Sequence, residues 1–358
     1  MAEVRADGAG TVNVGLVGVG NCASSLVQGV RYYADAEAGA PGLQHPVLGG
    51  YAVGDVRFTA AFDVHAGKVG RDLADAIGAE PNNALRFADV PPLGVEVADG
   101  VLEDGVGEST AGHVDARGEA GVDDIAGRLR DTGTHVLVNF LPVGAQRAAE
   151  AYAEAALRAG CAYVNCMPAV IARSPRWAER FAAAGLPLAG DDLKSQFGAT
   201  AVHRALLDVL ARNGVRLRST YQLLAGGNMD FLNMQDPERM LSKKATKAQG
   251  MGAASGHVGA DYIPYLEDSK IAHIRVDAEA FGGTPFEIDV RMKVEDSPSA
   301  AGKVLDAVRY LRLAMDRGLG GVVDPVSAEL MKAPPTPLAD DEIGRGLAAL
   351  TSPTSLTE

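Results

Sequence analysis

The run GDDLKSQFGAT, from Gly190 to Thr200, sets two aspartates, a lysine, a serine and a glutamine directly after the apolar stretch AGLPLAG. Such polar density at the end of a buried strand suits two roles. It can cap the following helix, or it can form the floor of a site that holds a phosphorylated ligand. Further along, SKKATKAQ places Lys243 and Lys247 four residues apart, on one face of a helix. Two ammonium groups there repel unless an anion lies between them. Lys270 follows in LEDSK, Asp296 in VEDSPSAAG and Lys332 in LMKAPP. Any one of these lysines taken alone reads as a solvated surface group. Together they could stabilise negative charge developing on oxygen.

A second chemical signal lies near the N-terminus. GVGNCA, Gly18 to Ala23, follows a β-rich run (TVNVGLV) and opens a segment of helical spacing. Glycines there allow a tight turn and close backbone approach, and the helix N-terminus offers unpaired N–H groups to a pyrophosphate. Asp63 ends the next expected strand, RFTAAFDV, where a carboxylate can accept from ribose hydroxyls. It would repel a 2′-phosphate, so NAD is expected rather than NADP. The spacing to Asp63 exceeds the usual ~20 residues, so YYADAEAGAPGLQHPVLGGYAVGD reads as an insertion. The alternative is a glycine turn that binds no cofactor.

The elements that must position these residues follow from periodicity. THVLVNFLP, CAYVNCMP and GLPLAGDD read as strands, and AQRAAEAYAEAALRAG as a helix stopped by Gly160. Strands alternating with helices predict an α/β fold, a Rossmann-type doubly wound parallel sheet. After Thr200 the pattern changes. AVHRALLDVLARNG reads as a helix and RLRSTYQLLAG as a strand. AHIRVDAEAFGG and PFEIDVRMKVED read as neighbouring strands joined near Gly282 and Gly283. GMGAASGHVGAD reads as a mobile lid, near 249–262. SAAGKVLDAVRYLRLAMDRG reads as a long helix packing back on the first domain, with a loose tail after Pro334. The expected division is a Rossmann domain over 1–200, completed by 301–358, and an inserted α+β domain over 201–300.

Bulk properties narrow the class. The chain has 358 residues, 47% of them hydrophobic and 22% charged, in the range of globular proteins. A formal net charge of -13 argues against nucleic-acid or anionic-membrane partners. Cys22, Cys161 and Cys166 form no CxxC pair, which favours neither a disulfide framework nor a zinc cluster. No signal peptide or membrane span is read, so a cytoplasmic protein is expected. A metal requirement stays open.

Six motifs carry a resemblance: VGVGNCASSLVQGV, GDDLKSQFGAT, GGNMDFLNM, SKKATKAQ, EDSPSAAG and LMKAPP. In this order they resemble the bacterial myo-inositol-phosphate synthases, from about Val12 to Pro335. The resemblance implies a Rossmann domain built from both chain ends, a recycled NAD, a homotetramer and a hexose 6-phosphate substrate. It also implies a reaction order. C5 is oxidised, an enolate forms, C6 attacks the carbonyl carbon, and the C5 ketone is reduced. By resemblance Lys243, Lys247, Lys270 and Lys332 are catalytic, with Asp296 orienting a lysine and Asp192 beside nicotinamide and substrate. Lys194, Ser195, Gln196, Thr200, Leu224, Asn228 and Asp230 would meet substrate. Gly18, Gly20, Asn21, Cys22, Asp63, Pro142, Asn165 and Asp191 would meet the cofactor, although helix capping is the competing role for Asp191 and Asp192.

The chain also departs from the family pattern. QLLAGGN stands where QLNVGGN is expected, so Leu224 replaces an asparagine that would bond a sugar hydroxyl. VGADY replaces a GPSD element, the stretch from Gln249 to His257 is shorter, and Ala169 and Val170 stand for valine and phenylalanine. These changes leave two substrates open. An aldehyde at C1, as in glucose 6-phosphate, closes a six-membered ring. A ketone at C2, as in fructose 6-phosphate, closes a five-membered ring. A simple NAD-dependent sugar-phosphate dehydrogenase and a non-catalytic NAD sensor are the readings from other classes.

Overall fold

The computed structural model describes residues 10–241 and 256–352. Lys243, Lys247 and the expected lid between 249 and 255 lie outside the described residues. The chain begins with β1 (Val12–Val17), whose residues are almost all buried, as a central parallel strand covered on both faces requires. Next come α1 (Asn21–Tyr32), a short hairpin of β2 (Val47–Leu48) and β3 (Tyr51–Ala52), and β4 (Val56–Asp63). Then follow α2 (Leu73–Ala76), β5 (Val97–Asp99), α3 (Val122–Asp131), β6 (Val136–Asn139), α4 (Gln146–Ala159), β7 (Ala162–Asn165), α5 (Pro175–Ala183) and β8 (Pro187–Ala189). Gly160 closes α4 at φ 77°, the left-handed stop its sequence predicts.

With β13 (Gly321–Val322) these strands make a seven-stranded sheet in the order β13-β8-β7-β6-β1-β4-β5, and every pairing in it is parallel. The strand order turns around between β1 and β6. That turn-around is where a doubly wound sheet opens a crevice at its carboxyl ends. Alternate residues of the sheet feed two cores. Val14, Leu16 and Val138 pack toward α1. Phe62, Leu137 and Tyr163 pack toward α3 and α4.

The chain then leaves this sheet. After α6 (Ala199–Arg212) come β9 (Arg216–Gly226), α7 (Met229–Asn233), β10 (His257–Tyr262), β11 (Ser269–Glu279) and β12 (Pro285–Glu295). They form a second sheet in the order β10-β9-β11-β12. Its core is small: Leu224, Phe231, Ile274 and Val276 pack against Leu210 of α6. The expected hairpin is present, with β11 and β12 antiparallel over eleven paired positions and joined through Phe281–Gly283. His257–Tyr262 differs from expectation: it is β10, paired parallel to β9, and not part of a lid. Gly256, Gly259 and Ala260 hide the apolar alternation by which a strand is recognised.

Helix α8 (Asp296–Asp316, twenty-one residues) starts where β12 ends and carries the chain back beneath the first sheet. It is followed by β13, α9 (Asp324–Leu330) and α10 (Asp340–Thr351). The expected loose tail after Pro334 is corrected by α10. Its N-terminus is capped by the Glu342 carboxylate, which accepts from the Ala339 N–H at 2.9 Å, and Leu350 is buried. Gly344 and Gly346 dilute the helical signal in the sequence.

Arg309 of α8 is fully buried. Its guanidinium donates to the carbonyls of His45 (2.7 Å), Pro46 (3.3 Å) and Tyr51 (3.2 Å), and pairs with Asp306 at 2.6 Å. One side chain thereby fastens the insertion between α1 and β4 to the long helix. Arg309→Ala should leave buried Asp306 with only His45 Nδ1 (3.1 Å) in place of a guanidinium and lower unfolding stability by about 3–5 kcal/mol in chemical denaturation. A loss below about 1 kcal/mol would show that the insertion is held by other contacts.

Candidate active site

A cavity of about 820 Å³ opens at the carboxyl ends of the parallel strands and runs to the second sheet. At one end is the glycine turn. Gly18 has φ 84°, and a Cβ there would sit 3.0 Å from the Phe140 carbonyl oxygen. At Gly20 a Cβ would meet nothing within 4 Å. Gly20 caps α1 without a side-chain acceptor, so the first N–H groups of a twelve-residue helix face open space. This is a cradle shaped for a phosphate group. The peptide of Val19 between the glycines is held from both sides. Its N–H donates to Asp63 Oδ2 at 2.8 Å, and its carbonyl accepts from Lys68 Nζ at 2.8 Å and Asn82 Nδ2 at 2.9 Å. Burial pushes the pKa of Lys68 down. Lys68 and Asn82 belong to no recognisable motif, and sequence reasoning missed them.

At the far end two ammonium–carboxylate pairs stand on the cavity wall. Lys270 Nζ lies 2.8 Å from Asp296 Oδ1, bringing the start of β11 to the first residue of α8. Lys332 Nζ lies 2.8 Å from Asp192 Oδ1, bringing the segment after α9 to the loop after β8. The backbone sets this second pair. Asp192 has φ 61°, its N–H donates to the Met167 carbonyl at 3.0 Å, and its carbonyl accepts from the Lys332 N–H at 2.6 Å. Lys194 donates to the carbonyls of Ala328 and Glu329 at the end of α9, at 2.8 and 3.0 Å. One of its three protons is thus left for a ligand.

Between the two ends sits Asp268, 1% exposed, which was not expected from the sequence. Asp268 Oδ1 accepts from Asn21 Nδ2 at 2.9 Å, Asn228 Nδ2 at 3.0 Å and Ser297 Oγ at 2.8 Å. Its other oxygen accepts from the Ser297 N–H at 3.2 Å. Burial raises its pKa, against the lowering effect of these donors. Three sequence motifs, GNC, GGN and EDSP, therefore converge on one carboxylate. The signal for it was present in LEDSK, beside the lysine that drew attention. Asn228 serves twice, since its Oδ1 also caps α7 by accepting from the N–H groups of Asp230 and Phe231.

Most of the expected site residues line this one cavity. Gly18, Gly20, Asn21, Cys22, Asp63 and Pro142 do so at the glycine-turn end, and Asp192, Lys194, Ser195 and Thr200 along the floor. Leu224, Asn228, Asp230, Lys270, Asp296 and Lys332 complete the wall. Three residues do not line it. Asp191 is fully buried and turned into the loop after β7, where it accepts from Asn165 Nδ2 (2.7 Å), the Ala172 N–H (2.9 Å) and Arg173 Nε (3.2 Å). Asn165 bridges Asp191 to Asn139. Gln196 turns outward to donate to the Gly42 carbonyl at 2.7 Å. In this structure all three make hydrogen bonds to the protein itself. Among the described residues no group of three or more His, Cys, Asp or Glu could hold a metal ion, and no helix is long and apolar enough to cross a membrane.

Comparison with known proteins agrees with this geometry. Residues 198–297, which include the second sheet and the lead into α8, match the family model for myo-inositol-1-phosphate synthase. The chain is 47% identical to the inositol-3-phosphate synthase of Mycolicibacterium smegmatis, over 93% of this chain and 96% of that protein. It is 46% identical to that of Corynebacterium glutamicum, over 92% and 95%. The chain belongs to the inositol-3-phosphate synthase family. The crystal structure of Ari2 superposes with a TM-score of 0.80 at 36% identity, covering 95% of this chain and 98% of that one. As expected of this family, the protein is an enzyme of the isomerase class on a Rossmann-type sheet.

Cys22 tests the electrostatics of this synthase-family site. Its sulfur is 3.9 Å from Ser297 Oγ, and burial with the nearby carboxylates of Asp268 and Asp296 pushes its pKa up to about 12. Alkylation of Cys22 at pH 8, followed by mass spectrometry, should run about a thousandfold slower than for a free cysteine, because the thiolate fraction is that much smaller. Reaction at the free-thiol rate would mean that neither burial nor the carboxylates disfavour the thiolate at this position.

Proposed function

We propose that this chain closes a carbocycle from a hexose 6-phosphate, converting glucose 6-phosphate to inositol 3-phosphate with NAD as a recycled cofactor. The observation that carries the reading is the sharing of one cavity by the glycine-turn cradle and the two pairs Lys270–Asp296 and Lys332–Asp192. The names of the relatives at 46–47% identity support it.

The residues present fit NAD: Gly18 and Gly20 for the pyrophosphate, and Asp63 at the end of β4 for a ribose. When bound, NAD supplies a hydride acceptor and then a donor. The chain's own contribution is electrostatic. Lys270 and Lys332 hold positive charge where substrate oxygens become negative. Asp296 and Asp192 fix each Nζ in advance, so little reorganisation is needed as that charge develops. Lys194, Ser195 and Thr200 supply donors to the phosphate. Lys243 and Lys247, outside the described residues, are proposed to complete the ring of lysines. The inserted segment 201–300 is proposed as the catalytic and oligomerisation domain of a homotetramer in the cytoplasm.

Leu224 favours a second reading. It is 4% exposed on the cavity wall, and an aliphatic group cannot bond a sugar hydroxyl. Fructose 6-phosphate and a five-membered product are the corresponding substrate and ring. Carbon NMR with hexose 6-phosphates labelled at C6 separates the cases. A new C6–C1 coupling from glucose 6-phosphate, with no net gain of NADH absorbance, is the expected result. A C6–C2 bond from fructose 6-phosphate alone would move the assignment to the five-membered ring. NADH accumulating without a new carbon–carbon bond would return the protein to a simple dehydrogenase.

A further inference from the structure

Strand β9 alternates cleanly between faces. Tyr221 and Leu223 are exposed, while Thr220, Gln222 and Leu224 are buried on the inner face. Thr220 is satisfied, bonding His203 Nε2 at 2.6 Å and donating to the Arg275 carbonyl at 2.6 Å. Gln222 is not. It is 0% exposed, it lines the cavity, and neither its Nε2 nor its Oε1 has a hydrogen-bond partner among the described residues. Asn233, at the end of α7, lines the same cavity and is 1% exposed. Its Nδ2 donates to the Val143 carbonyl at 2.8 Å, and its Oδ1 has no partner among the described residues.

Burying a carboxamide with both its donor and its acceptor unused is costly. Native cores rarely retain such a group unless it has a task. An amide offers a donor and an acceptor side by side, and a hydroxyl group needs both. Leu224 lies two residues along on the same face and offers only carbon. We propose that Gln222 is a specificity-determining residue for a hydroxyl of the sugar chain, its unused amide donor and acceptor facing the cavity. The inference rests on the hexose-phosphate reading above and adds to it the residue that recognises the polyol.

The test uses Gln222→Met, which keeps length and apolar packing while removing both polar atoms. The melting temperature should stay level or rise, because an unsatisfied group is gone. For the intact hexose 6-phosphate, kcat/KM should fall roughly tenfold to a hundredfold. In a series of 2-, 3- and 4-deoxyhexose 6-phosphates, one member should lose activity with the native enzyme and show no further loss with the variant. Unchanged kcat/KM across the series would overturn the proposal. So would an equal loss on every analogue together with a lower melting temperature, which marks a purely structural role. Calorimetric binding of glucitol 6-phosphate separates this inference from the reaction assignment. If the native enzyme makes no cyclitol but binds glucitol 6-phosphate, and the variant binds it at least tenfold more weakly, the subsite stands and the reaction falls. If the native enzyme neither binds nor cyclises, both fall.

Discussion

One buried carboxylate holds the two halves of the site in register. Asp268 draws donors from the N-terminus of α1, the cap of α7 and the first turn of α8. Those elements belong to different layers: α1 packs on the parallel sheet, α7 on the second sheet, and α8 joins them. A carboxylate in that position has a raised pKa and is stable only while its donors stay in place. Asn21 is also bonded to Asn83, and Asn228 also caps α7, so the carboxylate ties together side chains that are each anchored in their own element. The distance between the glycine turn and the Lys270–Asp296 pair follows from this knot.

The rest of the site uses charge in the same economical way. Each site lysine expected from the sequence and present among the described residues is already paired or bonded, Lys270 to Asp296, Lys332 to Asp192 and Lys194 to two carbonyls. This resolves the apparent paradox of clustered lysines in a chain of net charge -13. The positive groups are local, and each is oriented by a neighbouring carboxylate or helix end. Among the described residues few buried side-chain groups lack a partner, and those of Gln222 and Asn233 are on the cavity wall.

Much of this was legible in the sequence because its signals were local. The buried run of β1, the Gly160 stop of α4 and the alternation of β11 and β12 are properties of short windows. The motif residues converged because each sits at the end of an element, where parallel strands and helix starts meet. What was not legible depends on long-range contact. Asp268, Lys68 and Asn82 reveal their roles only through partners up to some 247 residues away, as the Asn21–Asp268 bond illustrates. Asp191 and Gln196 sit inside a motif whose polarity suggested ligand contact, yet the fold uses them on the loop after β7 and on the Gly42 carbonyl. Helix α10 and strand β10 were hidden because glycines interrupt their apolar periodicity.

The most direct test of this account is to measure NAD affinity and cyclitol formation side by side in Asp268→Asn. The amide keeps the shape and can keep an oxygen toward Asn21, Asn228 and the Ser297 hydroxyl, but it loses the charge and sets an NH2 group against the Ser297 N–H. The account predicts a folded protein with a melting temperature near that of the native chain, NAD affinity weakened at least tenfold and cyclitol formation lost. Native affinity and native turnover in Asp268→Asn would contradict it, since the two ends of the site would then hold their register without the carboxylate.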